Sequence, residues 1–182
     1  MFQYKQINNF LTEDQCQSIL NYSLDKLKPQ TAKIVNDNGA AVDSYRKSKI
    51  VFDKFEEFDF LNEKVMNLVL DNVSVDGHEI TWNDKGYQFT SYDEKGFYNW
   101  HTDNGQGRYC SVVIQLNGGY DGGNLELRLE EETITMEQGI GNAIIFLSSV
   151  THRVTEILKG TRYSLVNWLI LSPIKGNKKS II

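Results

Sequence analysis

The sequence predicts an α+β protein in which N-terminal helices pack on one face of a β-sandwich or barrel. Three observations carry the prediction. Apolar residues recur at helical spacing only before about residue 75. From Trp82 onward the texture changes to short runs of strand-forming residues. Glycine-bearing turns separate those runs, and helices that precede strands disfavour a parallel α/β sheet.

The first helix is announced by Thr12 and Gln15, a capping box ahead of Cys16, Ile19, Leu20, Leu24 and Leu27, and its run stops before Pro29. A second is expected over about 54–71, where Phe58, Leu61, Val65, Leu68 and Val69 repeat at helical spacing. Between them NDNGAAVDSYRKS reads as a loop leading into a short strand at 48–52. The later strands are expected at YQFTSY (87–92), SVVIQL (111–116), NLELRL (124–129), TITM (133–136), AIIFLSS (143–149), HRVTEI (152–157) and RYSLVNWLIL (162–171). The turns DEKG, NGQG, NGGYDGG, EQGIG and LKG punctuate them.

Composition narrows the function. At 182 residues one substantial core is affordable, so a single domain over 1–182 is expected. It would comprise a helical part to about 75, a β core over about 80–171 and a polar tail at 172–182 holding Lys175, Lys178 and Lys179. Nine Tyr, nine Phe and three Trp against two Pro argue for a packed core rather than disorder. A net charge of -5 argues against non-specific attachment to nucleic acid. The N-terminus MFQYKQINNF lacks the pattern of a signal sequence, and no apolar run approaches the ~20 residues of a membrane span. Cys16 and Cys110 form no disulfide framework and read as buried small hydrophobes in a reducing cytoplasm. His78, in VDGHEI, reads as a surface residue.

Two histidines are left to explain. In YNWHTDNGQG (98–107), His101 and Asp103 share a face if the strand persists through Thr102, about 6.5–7 Å apart and able to grip one metal ion. The competing reading is an Asx-turn, since TDNGQG is rich in turn formers. His152 follows the apolar AIIFLSS strand, and ten residues on Arg162 opens a very apolar strand, where a charge is costly without an anionic partner. Alternation puts Arg162, Ser164, Val166 and Trp168 on one face. Two histidines with one carboxylate make a facial triad, as in non-haem Fe(II) oxygenases. Zinc hydrolases use similar ligands but have no need of a buried arginine, whereas the far carboxylate of 2-oxoglutarate calls for a bidentate donor.

YDEKGFYNWHTD (92–103), NGGYDGGNLEL and GNAIIFLSSVTHRVTEILKGTRYSLVNWL resemble the 2-oxoglutarate/Fe(II) dioxygenases of the prolyl 4-hydroxylase type. The resemblance covers roughly 85–171 and implies a double-stranded β-helix (jelly-roll) core. It implies iron held by His101, Asp103 and His152, with Arg162 and Ser164 on the remote carboxylate of 2-oxoglutarate. Tyr92 and Tyr98 match tyrosines that line the cosubstrate and substrate pockets, with barrel-filling aromatics as the competing reading. Trp168 matches an aromatic that walls the site, or is ordinary packing. Relatives often place a tyrosine before "LN" at 116–117 to bond 2-oxoglutarate; Gln115 stands here, an amide able to donate in its stead.

The resemblance further implies dioxygen as cosubstrate, ascorbate as an auxiliary reductant, and hydroxylation of a peptidyl residue, proline first, with release of succinate and carbon dioxide. Nucleobase, nucleic-acid or small-molecule hydroxylation by the same chemistry and a non-catalytic jelly-roll metal-binding module are the alternatives. Residues 31–44 suit a lid over a bound peptide.

Overall fold

The computed structural model describes residues 2–33 and 44–173. The expected lid falls almost wholly outside these, as does the lysine-bearing end of the tail. In chain order the first elements are β1 (Tyr4–Ile7), α1 (Glu13–Lys26), β2 (Gln30–Thr31), β3 (Arg46–Lys47), β4 (Lys49–Asp53), α2 (Asp59–Asn72), β5 (His78–Trp82) and β6 (Tyr87–Tyr92). There follow β7 (Phe97–His101), β8 (Arg108–Gln115), β9 (Asp121–Gly122), β10 (Leu125–Leu129) and β11 (Glu132–Thr135). The last are β12 (Ala143–Leu147), β13 (Thr151–Val154), β14 (Ile157–Lys159) and β15 (Arg162–Pro173).

Antiparallel pairing builds a large sheet in the order β1-β12-β8-β15-β6-β4-β2, with β5 on the far half of β15. A smaller sheet runs β11-β10-β13-β7-β3, and β9 pairs with β14. The two sheets face one another as a jelly-roll, and both helices cover the outer face of the larger one. Side-chain alternation explains the division. Val112, Ile114, Ile145, Leu165 and Leu169 point out to Ile19, Leu61, Val65 and Val69 of the helices. Their neighbours Val113, Ile144 and Phe146 point in, to Leu125, Leu127 and Val150. The central strands are thus apolar on both faces and read as continuous apolar runs. Each such buried side chain contributes about 1.5–3 kcal/mol.

The capping box forms as read: Thr12 Oγ1 accepts from Gln15 N at 3.2 Å, and Gln15 Oε1 accepts from Thr12 N at 3.1 Å. Leu24 departs from its run and is exposed. The second helix starts at Asp59 rather than 54, because Asp53 Oδ1 accepts from Phe55 N at 2.7 Å in an Asx-turn. Phe55 takes φ 52° there and buries its ring without helical geometry. The strand expected at 152–157 breaks into β13 and β14, since the Thr155–Glu156 backbone leaves the small sheet to bond Asn124 and Gly123. His78 is exposed, as expected of a surface residue, and opens β5. Burial raises the Cys16 thiol to about 11 and Cys110 to about 12, which leaves both inert as nucleophiles. Among the described residues no helix is long and apolar enough to cross a membrane.

Candidate metal centre

The smaller sheet brings the histidines together. His101, the last residue of β7, stands directly across from His152 on β13, with ring centroids 4.1 Å apart. Two positions further along β13, Val154 pairs with Tyr98, three positions back on β7. This bulge resets the alternation, so Tyr98 and His101 face the same cavity despite their odd spacing. Tyr98 lies flat against His101, centroids 3.5 Å apart, and burial pushes its phenol up to about 12.

Both imidazoles are oriented from behind. His101 Nδ1 lies 2.7 Å from Asn99 O and His152 Nδ1 3.0 Å from Val150 O, contacts that place the proton on Nδ1 and leave each Nε2 lone pair free. Asp103 is fixed beyond the strand by its N–H, which donates to Ser148 O, and by Ser111 Oγ, which donates to Oδ2 at 2.7 Å. The Asx-turn reading of Asp103 therefore does not describe its side chain. Oδ2 lies 3.5 Å from His152 Nε2, and Oδ1 3.8 Å from His101 Nε2. These gaps are too long for hydrogen bonds but suit donors that share one cation at about 2.1 Å each. One ligand atom from each of the three residues lies within 4.8 Å of the others.

The protonation states agree with that use. Burial, then repulsion from His152, lowers His101 to about 4, so its ring is neutral near pH 7. Burial pushes the Asp103 carboxyl up, but His152, the Trp168 indole N–H, His101 and Ser111 together outweigh it and hold the group below the usual carboxylate range. The indole N–H reaches no full hydrogen bond of its own. Two imidazoles with their Nε2 atoms turned to the cavity and a buried carboxylate with no Lys or Arg partner among the described residues are a donor set that fits a divalent transition metal.

The larger sheet supplies the opposite wall. Arg162 opens β15 beside Tyr92 of β6, is 2% exposed, and donates from Nη1 to Ser164 Oγ at 3.0 Å. Among the described residues no carboxylate pairs with it. A cavity of about 110 Å³ joins Arg162 and Ser164 to His101, Asp103 and His152, with Tyr92, Tyr98 and Trp168 also in its lining. Gly123, at φ 62°, makes room for the arginine: a Cβ there would lie 2.2 Å from Ile157 Cδ1 and 3.2 Å from Arg162 Cδ. The glycine-rich NGGYDGGNLEL therefore has a packing reason.

One expected site residue lies elsewhere. Gln115 does not line the cavity; its amide donates to Glu137 O and accepts from Gly139 N, both at 3.1 Å, which holds the 137–139 loop. Gln88 on β6 lines the cavity instead, its Nε2 donating to Thr90 Oγ1 at 2.9 Å. Simple alternation back from Tyr92 would have found it. Two charged lining residues were also missed, Arg46 and Arg108. Arg108 faces inward because Tyr109 is an extra residue in the β8–β15 register, a bulge that no periodicity displays.

Against this geometry, residues 87–170 match the 2OG-Fe(II) oxygenase superfamily. In sequence the chain is similar to a PKHD-type hydroxylase of Prochlorococcus marinus, 27% identical over 130 residues that make up 68% of this chain and 56% of the relative. A PKHD-type hydroxylase of Acaryochloris marina is 34% identical over 87 residues, 44% of this chain and 40% of the relative. The chain thus spans about half the length of the relatives it matches in sequence. In fold it is similar to a Trichoplax adhaerens prolyl hydroxylase solved with a hypoxia-inducible-factor peptide fragment: TM-score 0.76, 22% identity, 93% of this chain and 84% of that one. A Pseudomonas putida prolyl-4-hydroxylase gives TM-score 0.73 at 21% identity, covering 93% of each chain.

The likeness to that superfamily covers 84 of the 182 residues, just under half of the chain, and includes His101, Asp103, His152 and Arg162. The relatives it resembles in sequence are PKHD-type hydroxylases, and the solved structures it resembles in fold are prolyl hydroxylases.

Proposed function

We propose that this chain, working as one oxygenase domain, hydroxylates a residue of a peptide, proline first, and converts 2-oxoglutarate to succinate and carbon dioxide. The observation that carries the reading is the shared cavity: a His101–Asp103–His152 donor set and, in the same space, a buried Arg162 without a carboxylate partner. A non-catalytic metal module would need the first and not the second.

In this reading His101 Nε2, His152 Nε2 and a carboxylate oxygen of Asp103 hold Fe(II), while Arg162 and Ser164 hold the far carboxylate of 2-oxoglutarate. Iron with 2-oxoglutarate and dioxygen supplies the oxidising chemistry, which inserts one oxygen atom into a C–H bond. The protein's own share is positioning and exclusion. Asn99 O and Val150 O fix the two rings in the ligating tautomer. Ser111 aims the carboxylate through a hydrogen bond to Oδ2. Tyr92, Tyr98 and Trp168 wall the cavity with aromatic surface and keep water from the reacting groups. Ascorbate would serve as the external reductant. The Trichoplax neighbour's peptide supports a peptidyl substrate, and the net charge of -5 weighs against a nucleic-acid one.

The test is succinate release from 2-oxoglutarate with iron and proline-containing peptides, followed by mass spectrometry of the peptide. Iron-dependent succinate and a peptide gain of one oxygen are expected. No iron-dependent turnover with any peptide, nucleoside or small carboxylate would overturn the reading.

A further inference from the structure

The proposed chemistry leaves two cavity-lining guanidiniums without a role. Arg46, on β3 across from Tyr98, donates from Nε to Ser48 Oγ at 2.7 Å and lies 4.4 Å from the Tyr98 ring centroid. Its Nη2 is buried and has no hydrogen-bond partner among the described residues. Arg108, at the start of β8, lies 3.9 Å from the centroid of Trp168, and no carboxylate among the described residues pairs with it. Each guanidinium is one aromatic ring removed from the triad: Tyr98 touches both Arg46 and His101, and Trp168 lies between Arg108 and the Asp103 carboxylate it stabilises.

The charges do not balance. Among the described residues the cavity lining holds three arginines and one carboxylate, Asp103. In the proposed function Asp103 belongs to the metal and Arg162 to 2-oxoglutarate. Two cations then remain, one with a buried N–H that lacks an acceptor. Such a donor is costly unless something fills it. Acidic residues outnumber basic ones in this chain, 24 to 19, so composition alone does not put an unpaired cationic pair there.

We propose that the substrate carries a carboxylate beside the carbon that is hydroxylated, and that Arg46 and Arg108 clamp it. Aromatic rings hold the two planar forks in place, which preorganises them for a flat anion. The anion can be an acidic side chain next to the target residue or the C-terminal carboxylate of a peptide ending on it; the shared chemistry is the carboxylate. Neutral peptide carbonyls would satisfy Nη2 as a hydrogen bond but would leave the charge unanswered. The inference rests on the oxygenase reading above and names the substrate class of that site.

Calorimetry on the protein loaded with Zn(II) and N-oxalylglycine, where no turnover occurs, tests it with matched peptides. The pairs are Pro-Glu against Pro-Gln, Glu-Pro against Gln-Pro, and a C-terminal proline acid against its amide. At least one acid is expected to bind about tenfold or more tightly than its neutral twin. The pair that shows the difference identifies the source of the carboxylate. In R46Q and R108Q that ratio should fall toward one, and R46K should retain part of it. Ratios within twofold for every pair, or no acidic peptide bound at all, would overturn the proposal. Should a variant fail to fold, the ratio in the unsubstituted protein decides alone. Failure of the oxygenase reading appears separately, as missing heats for Zn(II) or N-oxalylglycine before any peptide is added.

Discussion

At the scale of single residues, each proposed ligand depends on a partner that fixes it. With His101 and Asp103 as proposed ligands, His101→Ala and Asp103→Ala are each expected to abolish succinate formation; full turnover by either would contradict the ligand set. Arg162→Ala should act differently. It removes charged hydrogen bonds worth about 1.5–3 kcal/mol each, so the 2-oxoglutarate concentration for half-maximal rate should rise roughly tenfold to hundredfold, with iron binding retained. The buried ring of His101 also sets a pH dependence. Its folded-state value, about 4, lies below the ordinary 6.5, so the unfolded chain binds more protons between those values. Stability of the metal-free protein should therefore fall as pH drops from 6.5 toward 4. The lowered Asp103 adds loss in the same direction at still lower pH. Thermal melts at pH 7, 5.5 and 4.5 check this, with the slope reduced in His101→Gln; a melting point that rises through that window would contradict it. The triad and Arg162 were legible because their residue types are costly where the pattern puts them. Arg46 and Gln115 were not: Arg46 stands on a two-residue strand with no alternation to orient it, and Gln115, the last residue of β8, is drawn to the 137–139 loop by hydrogen bonds the sequence does not display.

At the scale of elements, period-2 and helical patterns located most of the strands and both helices, and three of the failures share a cause. Each of these involves a local departure from regular backbone. The bulge in β7 lets Tyr98 join His101, the extra Tyr109 turns Arg108 inward, and the Asx-turn at Asp53 delays α2. Such departures are set by hydrogen bonds to distant segments, which a one-dimensional pattern does not contain. Packing predictions belong here. Leu165 on β15 is fully buried against the helices, so Leu165→Ala should cost about 2–5 kcal/mol in urea denaturation with the fold retained. Gly123→Ala forces a Cβ onto Ile157 and toward Arg162 at a positive φ. A loss of about 1–3 kcal/mol is expected together with a raised 2-oxoglutarate requirement; an unchanged requirement would show that the glycine serves stability only.

At the scale of the whole molecule, the jelly-roll explains why the site is where it is. Polar groups from both sheets line one cavity, and each sheet contributes its own half. The smaller sheet carries the histidines and the larger sheet carries Arg162, Ser164 and Gln88. The glycine-rich turns and apolar strands made a sandwich or barrel legible, and the spaced motifs made the resemblance to the 2OG-Fe(II) oxygenases legible. The closing of the two halves on one cavity was not, since it depends on contacts between residues such as Asp103 and His152 that lie far apart along the chain. The central claim is that these halves meet around one metal ion and one 2-oxoglutarate. A crystal structure with Mn(II) and N-oxalylglycine, the metal located by anomalous scattering, tests it most directly. The account predicts one ion bonded to His101, Asp103 and His152, with the analogue's far carboxylate paired to Arg162. An ion held by other residues, or that carboxylate turned away from Arg162, would contradict it.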